Sequence, residues 1–474
     1  MTPSLFDPGL ESITVAETEL SDVDGAAGEL VVGGYPIAEL AANATYEETV
    51  ALLFDGRLPA SDSLRRFRSD LARRRAVDDD TQAALGRAAR ASAPPMDALR
   101  QGLGEATLGD DADPVATARR VVAVTPTVVA SYWHHRQGDS PVAPDPELGQ
   151  AANYRYMLTG EVPTDAETRA LETFLTTMVD HGLNPSTFTA RTVVSTESDL
   201  VSATTAAVGA LKGRRHGGNL AHVFDLLDAA AEADDVDSLV HQRLADSGSL
   251  PGFGHRVYEV RDPRAAVLAA ALEPLADTGA APLLGTVREL EAAGVAALDD
   301  RGPDRPAVPT VEFYAAALLR AVGVPPALFT ATFAVARVGG WMAHCLEQRA
   351  DNELVRPVAR YVGPTGRSWT PVQQRDERAD GRRAVVDPAA ASLSTLADPA
   401  RLEILLALAD AETPIAYSTL RAATTIEDKG RFNYHLRQLR GTFVADRGDG
   451  YALRPVGERV VETLLRDDLL RASE

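Results

Sequence analysis

Residues Pro251 to Arg264 read PGFGHRVYEVRDPR. Gly252 and Gly254 flank Phe253 and let the backbone take positive φ there, so His255 is presented from a tight loop and not from a regular element. Asp262, Pro263 and Arg264 carry the marks of a helix start, with Asp as N-cap, Pro at the first helical position and Arg just inside. An imidazole and a guanidinium so placed can grip one small acid, His255 polarising a carbonyl while Arg264 holds a carboxylate in its planar fork. An isolated His and Arg would more readily be a loop histidine and a surface ion pair. Here they do not stand alone.

Upstream, Leu211-Lys212-Gly213-Arg214-Arg215-His216-Gly217-Gly218 follows a helix-like run from Asp199 to Ala210. Further upstream lies His181-Gly182-Leu183-Asn184-Pro185-Ser186-Thr187-Phe188, and downstream lies Thr310-Val311-Glu312-Phe313-Tyr314. With the opening GLESITVAETELSDVDGAAGELVVGGYPIAELA, which starts at Gly9, these motifs in this order resemble the citrate synthase family from Gly9 to about Gly363. The resemblance implies a mainly helical, two-domain dimer whose smaller domain closes over oxaloacetate and an acyl-CoA, with no cofactor. It implies that His216 hydrogen-bonds the thioester oxygen as the enol forms and that His255 polarises the ketone. Arg264, Arg337 and Arg356 would bind carboxylates, with Arg356 reaching across the dimer, and His181 matches the remaining substrate-binding histidine.

The reaction needs this inventory for a physical reason. Methyl protons beside a thioester are weakly acidic, so a carboxylate base must be aligned with a donor that stabilises the enolate as charge develops. A dianionic partner needs several fixed cations, and Arg supplies them without losing its charge. The family carries Asp as this base, and this chain has Glu312, one methylene longer. Other departures are Arg214-Arg215 for Pro-Leu, Leu220 and Ala221 behind the glycines, Glu353 where a basic residue is usual, and Val358 for a second Arg, with Arg360 near enough in sequence to compensate. Acetyl-CoA and propionyl-CoA are both admissible substrates on sequence, giving citrate or 2-methylcitrate. A third possibility keeps the acid-binding residues but relaxes the base, leaving a sensor of oxaloacetate, citrate or acyl-CoA.

Composition frames these readings. At 474 residues the chain has room for two or three domains. Its net charge is −21, and of 47 basic residues only Lys212 and Lys429 are lysine. A GC-rich genome accounts for the missing lysine but not for the acid excess, which is expected of a protein kept soluble in concentrated salt and implies a haloarchaeal source. Cys345 is the only cysteine, so no internal disulfide or Cys-based metal site is possible. It falls on a helix-like run where a small buried hydrophobe is expected. His134-His135 has no partners at metal spacing, and no metal is expected. No leader opens the chain and no apolar run reaches membrane length, so a cytoplasmic protein is expected.

Helical periodicity dominates, as in Ile37 to Asp55, Ala83 to Gly104 and Val311 to Val322, and strand alternation is scarce before residue 440. The expected organisation is a synthase-like region over 1–366, with a large domain (1–216 and 323–366) and a small one (217–322), then a polar linker over 367–388. Over 389–466 the pattern is a helix from Asp398-Pro399 to Asp410, a second from Ile415 to Ala423 and a third holding Phe432 to Leu439. Strands follow at Thr442 to Ala445 and Tyr451 to Leu453 around a turn-forming DRGDG. Three helices and a hairpin predict a winged helix-turn-helix, and LADPARLEILLAL with FNYHLRQL resembles ArsR-like regulators. Lys429 to Arg454 holds six basic residues and two acidic ones. Arg431, Asn433, Tyr434, Arg437 and Gln438 would face DNA from the recognition helix, and Arg447 from the wing. A winged helix used only to bind protein is the alternative, which Glu427 and Asp428 favour slightly.

Overall fold

Side-chain caps decide where many of the helices begin. The computed structural model describes residues 7–10, 13–106, 113–217, 220–254, 260–299, 308–372, 390, 392–409, 411, 414–446 and 450–465. Contacts divide the chain into two compact units, Met1–Val358 and Ala359–Glu474.

The first unit opens with an antiparallel sheet of β1 (Ser21–Asp24), β2 (Glu29–Val32) and β3 (Tyr35–Pro36). The register pairs Ser21 with Val32 and Asp24 with Glu29. Sequence reading missed this sheet because its strands are short and their apolar residues few. Helices α1 (Ile37–Asn43), α2 (Tyr46–Asp55), α3 (Ser61–Arg73), α4 (Asp79–Arg90), α5 (Pro95–Glu105) and α6 (Pro114–Gln137) follow. Two of the segments read as helical from their periodicity, Ile37 to Asp55 and Ala83 to Gly104, each hold two helices. Thr45 and Glu48 form a reciprocal capping box that restarts the chain as α2. Helix α4 ends at Arg90, and the Pro94-Pro95 step starts α5, with Pro95 in its first turn.

Next come α7 (Gln150–Thr159), α8 (Asp165–Met178), α9 (Pro185–Ser195), α10 (Leu200–Leu211), α11 (Leu220–Glu232), α12 (Val236–Ser247), α13 (Pro263–Leu272), α14 (Ala281–Asp299), α15 (Val311–Ala321) and α16 (Phe329–Ala350). Helix α16 is apolar on nearly every side and runs through the core, packed by α2, α6, α8, α9 and α10, as expected of a helix with no solvent face. Gly339 and Gly340 permit that packing, since a Cβ on Gly340 would lie 2.2 Å from the Val179 carbonyl oxygen.

The second unit contains α17 (Pro399–Ala409), α18 (Tyr417–Ala422), α19 (Lys429–Leu439), the hairpin β4 (Val444–Asp446) and β5 (Tyr451–Leu453), and α20 (Pro455–Leu465). Its own core holds Ile404, Leu405, Leu420, Phe432, Leu436, Leu439, Phe443 and Val461. Helix α20 was not anticipated from sequence. Ile415, expected in the second helix, instead bridges Tyr451 on β5.

Candidate active site

The first turn of α9 is built by Asn184. Its Oδ1 accepts from the amides of Ser186 (3.1 Å) and Thr187 (3.2 Å), satisfying donors that a helix start leaves open. The Ser186 hydroxyl donates to the same oxygen at 2.7 Å, accepts from Trp341 Nε1 at 3.1 Å and lies 2.8 Å from His216 Nε2. His216 itself sits in the tight turn after α10, where the Gly217 amide folds back onto the Leu211 carbonyl at 2.9 Å. A Cβ on Gly217 would stand 2.8 Å from that carbonyl, so this turn requires glycine. Burial, with Arg337 nearby adding to it, pushes the His216 imidazole down to about 4, which leaves it neutral at physiological pH.

Arg264 and Arg337 are both buried. Asp262 caps α13 by accepting from the Arg264 amide and also grips the Arg264 guanidinium in a two-point fork, Nε to Oδ1 at 3.0 Å and Nη2 to Oδ2 at 2.8 Å. One carboxylate thereby starts the helix and aims its first-turn arginine. Arg337, on α16, donates from Nε to the Met178 carbonyl at 2.7 Å. Burial pushes Arg337 down to about 10; Asp180 opposes the shift, Arg264 adds to it and Glu312 opposes it. His216, Arg264 and Glu312 therefore all lie within electrostatic reach of Arg337.

Glu312 is half-buried in the first turn of α15. His181 is partly exposed and directly follows Asp180, which is fully buried. Arg356 is exposed on the extended stretch after α16, without an ion pair among the described residues. His255 lies outside the described residues, although Gly252 and Gly254 beside it take φ of +83° and +76°, as that loop was expected to need. Sequence reading named neither Asp180, Ser186, Asp262 nor Trp341 as site residues, although the first three stood inside or beside a quoted motif. What it lacked was the fold-dependent contact that gives each its part. The paired histidines make ordinary hydrogen bonds, His134 Nε2 with the Met157 carbonyl (2.7 Å) and His135 Nε2 with Gln82 Oε1 (3.1 Å).

In the second unit, Asp428 caps α19 by accepting from the Arg431 amide at 2.6 Å. Arg431, Tyr434, Arg437 and Gln438 are exposed on this helix, while Phe432, His435, Leu436 and Leu439 are buried. Asn433 is only partly free for another role, because its Oδ1 accepts from the Tyr417 hydroxyl at 2.6 Å. Arg447 lies outside the described residues. Arg440 instead pairs with Asp446 of the hairpin at 2.6 Å.

The first unit is thus mainly helical, and its motifs bring two buried arginines, a neutral imidazole and a carboxylate within electrostatic reach of one another. The family description "Citrate synthase, C-terminal domain" matches residues 9–358, and the chain belongs to the citrate synthase family. The citrate synthase of Haloferax volcanii is 40% identical over 378 residues, covering 77% of this chain and 98% of that protein. A 2-methylcitrate synthase of Mycobacterium tuberculosis is 36% identical over 365 residues, covering 75% of this chain and 90% of that protein. Among solved structures, citrate synthase from Pyrobaculum aerophilum superposes with a TM-score of 0.70 at 30% identity, covering 78% of this chain and 97% of that one. Residues 388–464 match a domain of unknown function, DUF7347. No described helix is long and apolar enough to cross a membrane.

Proposed function

We propose that the family region condenses acetyl-CoA, oxaloacetate and water to citrate and free CoA. The observation that carries this is the cluster around Arg337, in which His216 is held neutral while Arg264 and Arg337 supply fixed positive charge. Glu312 takes a methyl proton from the acyl-CoA, and His216 hydrogen-bonds the thioester oxygen as the enol forms. His255 polarises the ketone of oxaloacetate. Arg264, Arg337 and His181 hold its carboxylate end, joined by Arg356 of a second copy in a homodimer. The enol carbon then attacks the ketone carbon, and water cleaves the thioester to release CoA. Closure of the small domain (217–322) on the large one (1–216 and 323–366) excludes bulk water. No cofactor is required.

Oxaloacetate-dependent release of CoA by the full chain in molar KCl tests this. Release that vanishes in His255→Ala supports it, and no release from either acetyl-CoA or propionyl-CoA overturns it. A preference for propionyl-CoA would make the protein a 2-methylcitrate synthase, which the Mycobacterium tuberculosis relative keeps in view. Glu312 in place of Asp favours a second reading, a metabolite sensor whose site binds without turning over. The acid excess and the Haloferax volcanii relative support a cytoplasmic protein of concentrated salt.

For the C-terminal unit we propose a winged helix that binds DNA, joined by a linker over 367–388. Its support is the exposed row Arg431, Tyr434, Arg437 and Gln438 on α19 in a stretch of net positive charge, with the hairpin as wing. Failure of the full chain to retain duplex DNA at any salt concentration would leave this unit as a protein-binding module.

A further inference from the structure

His181 is bracketed by two residues that share one hydroxyl. Ser21 Oγ, on β1, donates to Asp180 Oδ2 at 2.5 Å and accepts from the Gly182 amide at 3.0 Å. A single side chain of the N-terminal sheet thus holds the neighbours of His181 on both sides.

Asp180 is held from a second direction by α16. His344, fully buried, approaches Asp180 Oδ2 through Nε2 at 3.1 Å, while Arg191 Nη1 donates to His344 Nδ1 at 3.1 Å. A guanidinium can only donate, so Nδ1 is the acceptor and the proton of a neutral His344 sits on Nε2, aimed at Asp180. Arg191 is fixed in turn by Gln348 Oε1 at 3.0 Å and by Glu347. The other oxygen of Glu347 accepts from the Glu19 amide at 2.9 Å and the Thr18 hydroxyl at 3.2 Å, clamping the chain where it enters β1.

Two residues before Asp180, the Met178 carbonyl accepts the hydrogen bond that orients Arg337. Between them, the Val179 carbonyl lies so close to Gly340 that no side chain would fit. The segment Met178 to Gly182 is therefore seated against α16 on one side and β1 on the other. It cannot shift without moving both Arg337 and His181.

We infer that Asp180 is the positioning residue for the dicarboxylate end of the site, and that Ser21 and His344 are the clasps that hold it. The N-terminal sheet, remote in sequence from every substrate-binding group, is then a structural wall of that end. Naming oxaloacetate as the ligand rests on the function proposed above.

The experiment measures oxaloacetate binding by calorimetry and both KM values on full-length protein in molar KCl. Ser21→Ala removes a charge-assisted hydrogen bond, and is expected to weaken oxaloacetate binding about tenfold while leaving the acyl-CoA KM within about twofold. Ser21→Thr restores the hydroxyl and with it the affinity. His344→Gln keeps a donor for Asp180 and an acceptor for Arg191 and stays near wild type, whereas His344→Phe keeps bulk without either and loses affinity. Unchanged oxaloacetate affinity in a folded Ser21→Ala, or equal weakening of both substrates, overturns the inference while the synthase reading survives. A folded wild type that binds no oxaloacetate overturns both.

Discussion

Ser186 Oγ stands 2.8 Å from His216 Nε2, and the one proton of that hydroxyl is already directed at Asn184 Oδ1, 2.7 Å away. Asn184 cannot be turned the other way, because the same oxygen accepts two backbone amides. With its proton on Asn184, the serine accepts from His216, which places the imidazole proton on Nε2 and a lone pair on Nδ1. For Nδ1 to donate to a thioester oxygen, the ring proton has to move from Nε2 to Nδ1, after which the serine hydroxyl turns from Asn184 to donate to His216 Nε2; Asn184 can release it, since its oxygen keeps both amides.

The first prediction follows from this tautomer and from the burial that depresses His216 to about 4. Nitrogen-15 NMR at pH 6, with His216→Asn to assign the signal, is expected to show a neutral ring protonated at Nε2. An imidazolium signal at that pH would contradict it. Because the folded value lies below the ordinary 6.5, the unfolded chain binds the extra proton. The His216 contribution to stability is present above about 6.5 and is lost as pH falls toward 4. Ser186→Ala is expected to lower kcat about tenfold or more, because the tautomer needed for donation loses the group that supports it.

Glu312 gives the second prediction. In the proposed role of general base it is expected to tolerate neither loss of charge nor change of reach. Glu312→Gln should reduce CoA release by about two to four orders of magnitude while oxaloacetate still binds. Glu312→Asp shortens the side chain by one methylene and should cost up to about a hundredfold, because it draws the carboxylate about 1 Å or more back from the position that Glu gives it. Steady-state assays with acetyl-CoA decide this. A faster Glu312→Asp would mean instead that the native site has drifted away from turnover.

Legibility from sequence was uneven for physical reasons. The start of α13 could be read directly, since Asp-Pro-Arg combines an N-cap with a residue suited only to the first turn, and Asp262 indeed caps there. Positive φ at Gly252 and Gly254 was equally readable. Contacts between residues far apart in the chain were not. Ser21 and Asp180 are 159 positions apart, and no local propensity links them. Nor did periodicity reveal that Thr45 restarts a helix inside an apolar run, because a capping box changes the backbone without interrupting the hydrophobic pattern. Asn433 shows the converse: its position on α19 was read correctly, but the Tyr417 hydroxyl that occupies its oxygen could not be seen from the sequence.

A third prediction concerns two carboxylates away from the site. Glu47 and Glu172 are both buried, Glu47 accepting from the Gln150 amide at 2.8 Å and Glu172 from the Tyr46 amide at 2.7 Å. Burial and then the charge of Glu47 push the Glu172 carboxyl up to about 8, against the opposing pull of the Tyr46 amide, Arg68 and Arg169. A folded value above the unfolded one means that the folded state holds the extra proton. Stability is therefore full below the ordinary value of 4.5 and declines as pH rises to about 8. The slope from this group is at most about 1.4 kcal/mol per pH unit. Glu172→Gln mimics the protonated acid and keeps an acceptor for Tyr46. Denaturant titrations from pH 5 to 8 should show the decline in wild type and a flatter curve in the variant.

The last prediction separates DNA binding from protein binding in the C-terminal unit. Arg437 is exposed on α19, one turn beyond Asn433 and on a helix whose other side is fixed by Phe432 and Leu436. Its removal therefore disturbs no core contact, and Arg437→Ala should fold as wild type does. If the guanidinium meets a phosphate, each arginine lost should reduce the slope of log affinity against log salt by about 0.9, because one fewer counterion is released on binding. Arg437→Ala and Arg431→Ala should each lower the slope by that amount, and the double variant by twice as much. If Arg437 reads a base edge instead, affinity for one sequence should fall by about 1–3 kcal/mol while binding to unrelated duplexes is little changed. Fluorescence anisotropy with labelled duplexes over a range of KCl concentrations distinguishes these outcomes. A wild-type protein whose retention on duplex DNA is unaffected by both substitutions would mean that α19 is not the contacting helix, and the exposed row would then be a surface for another protein.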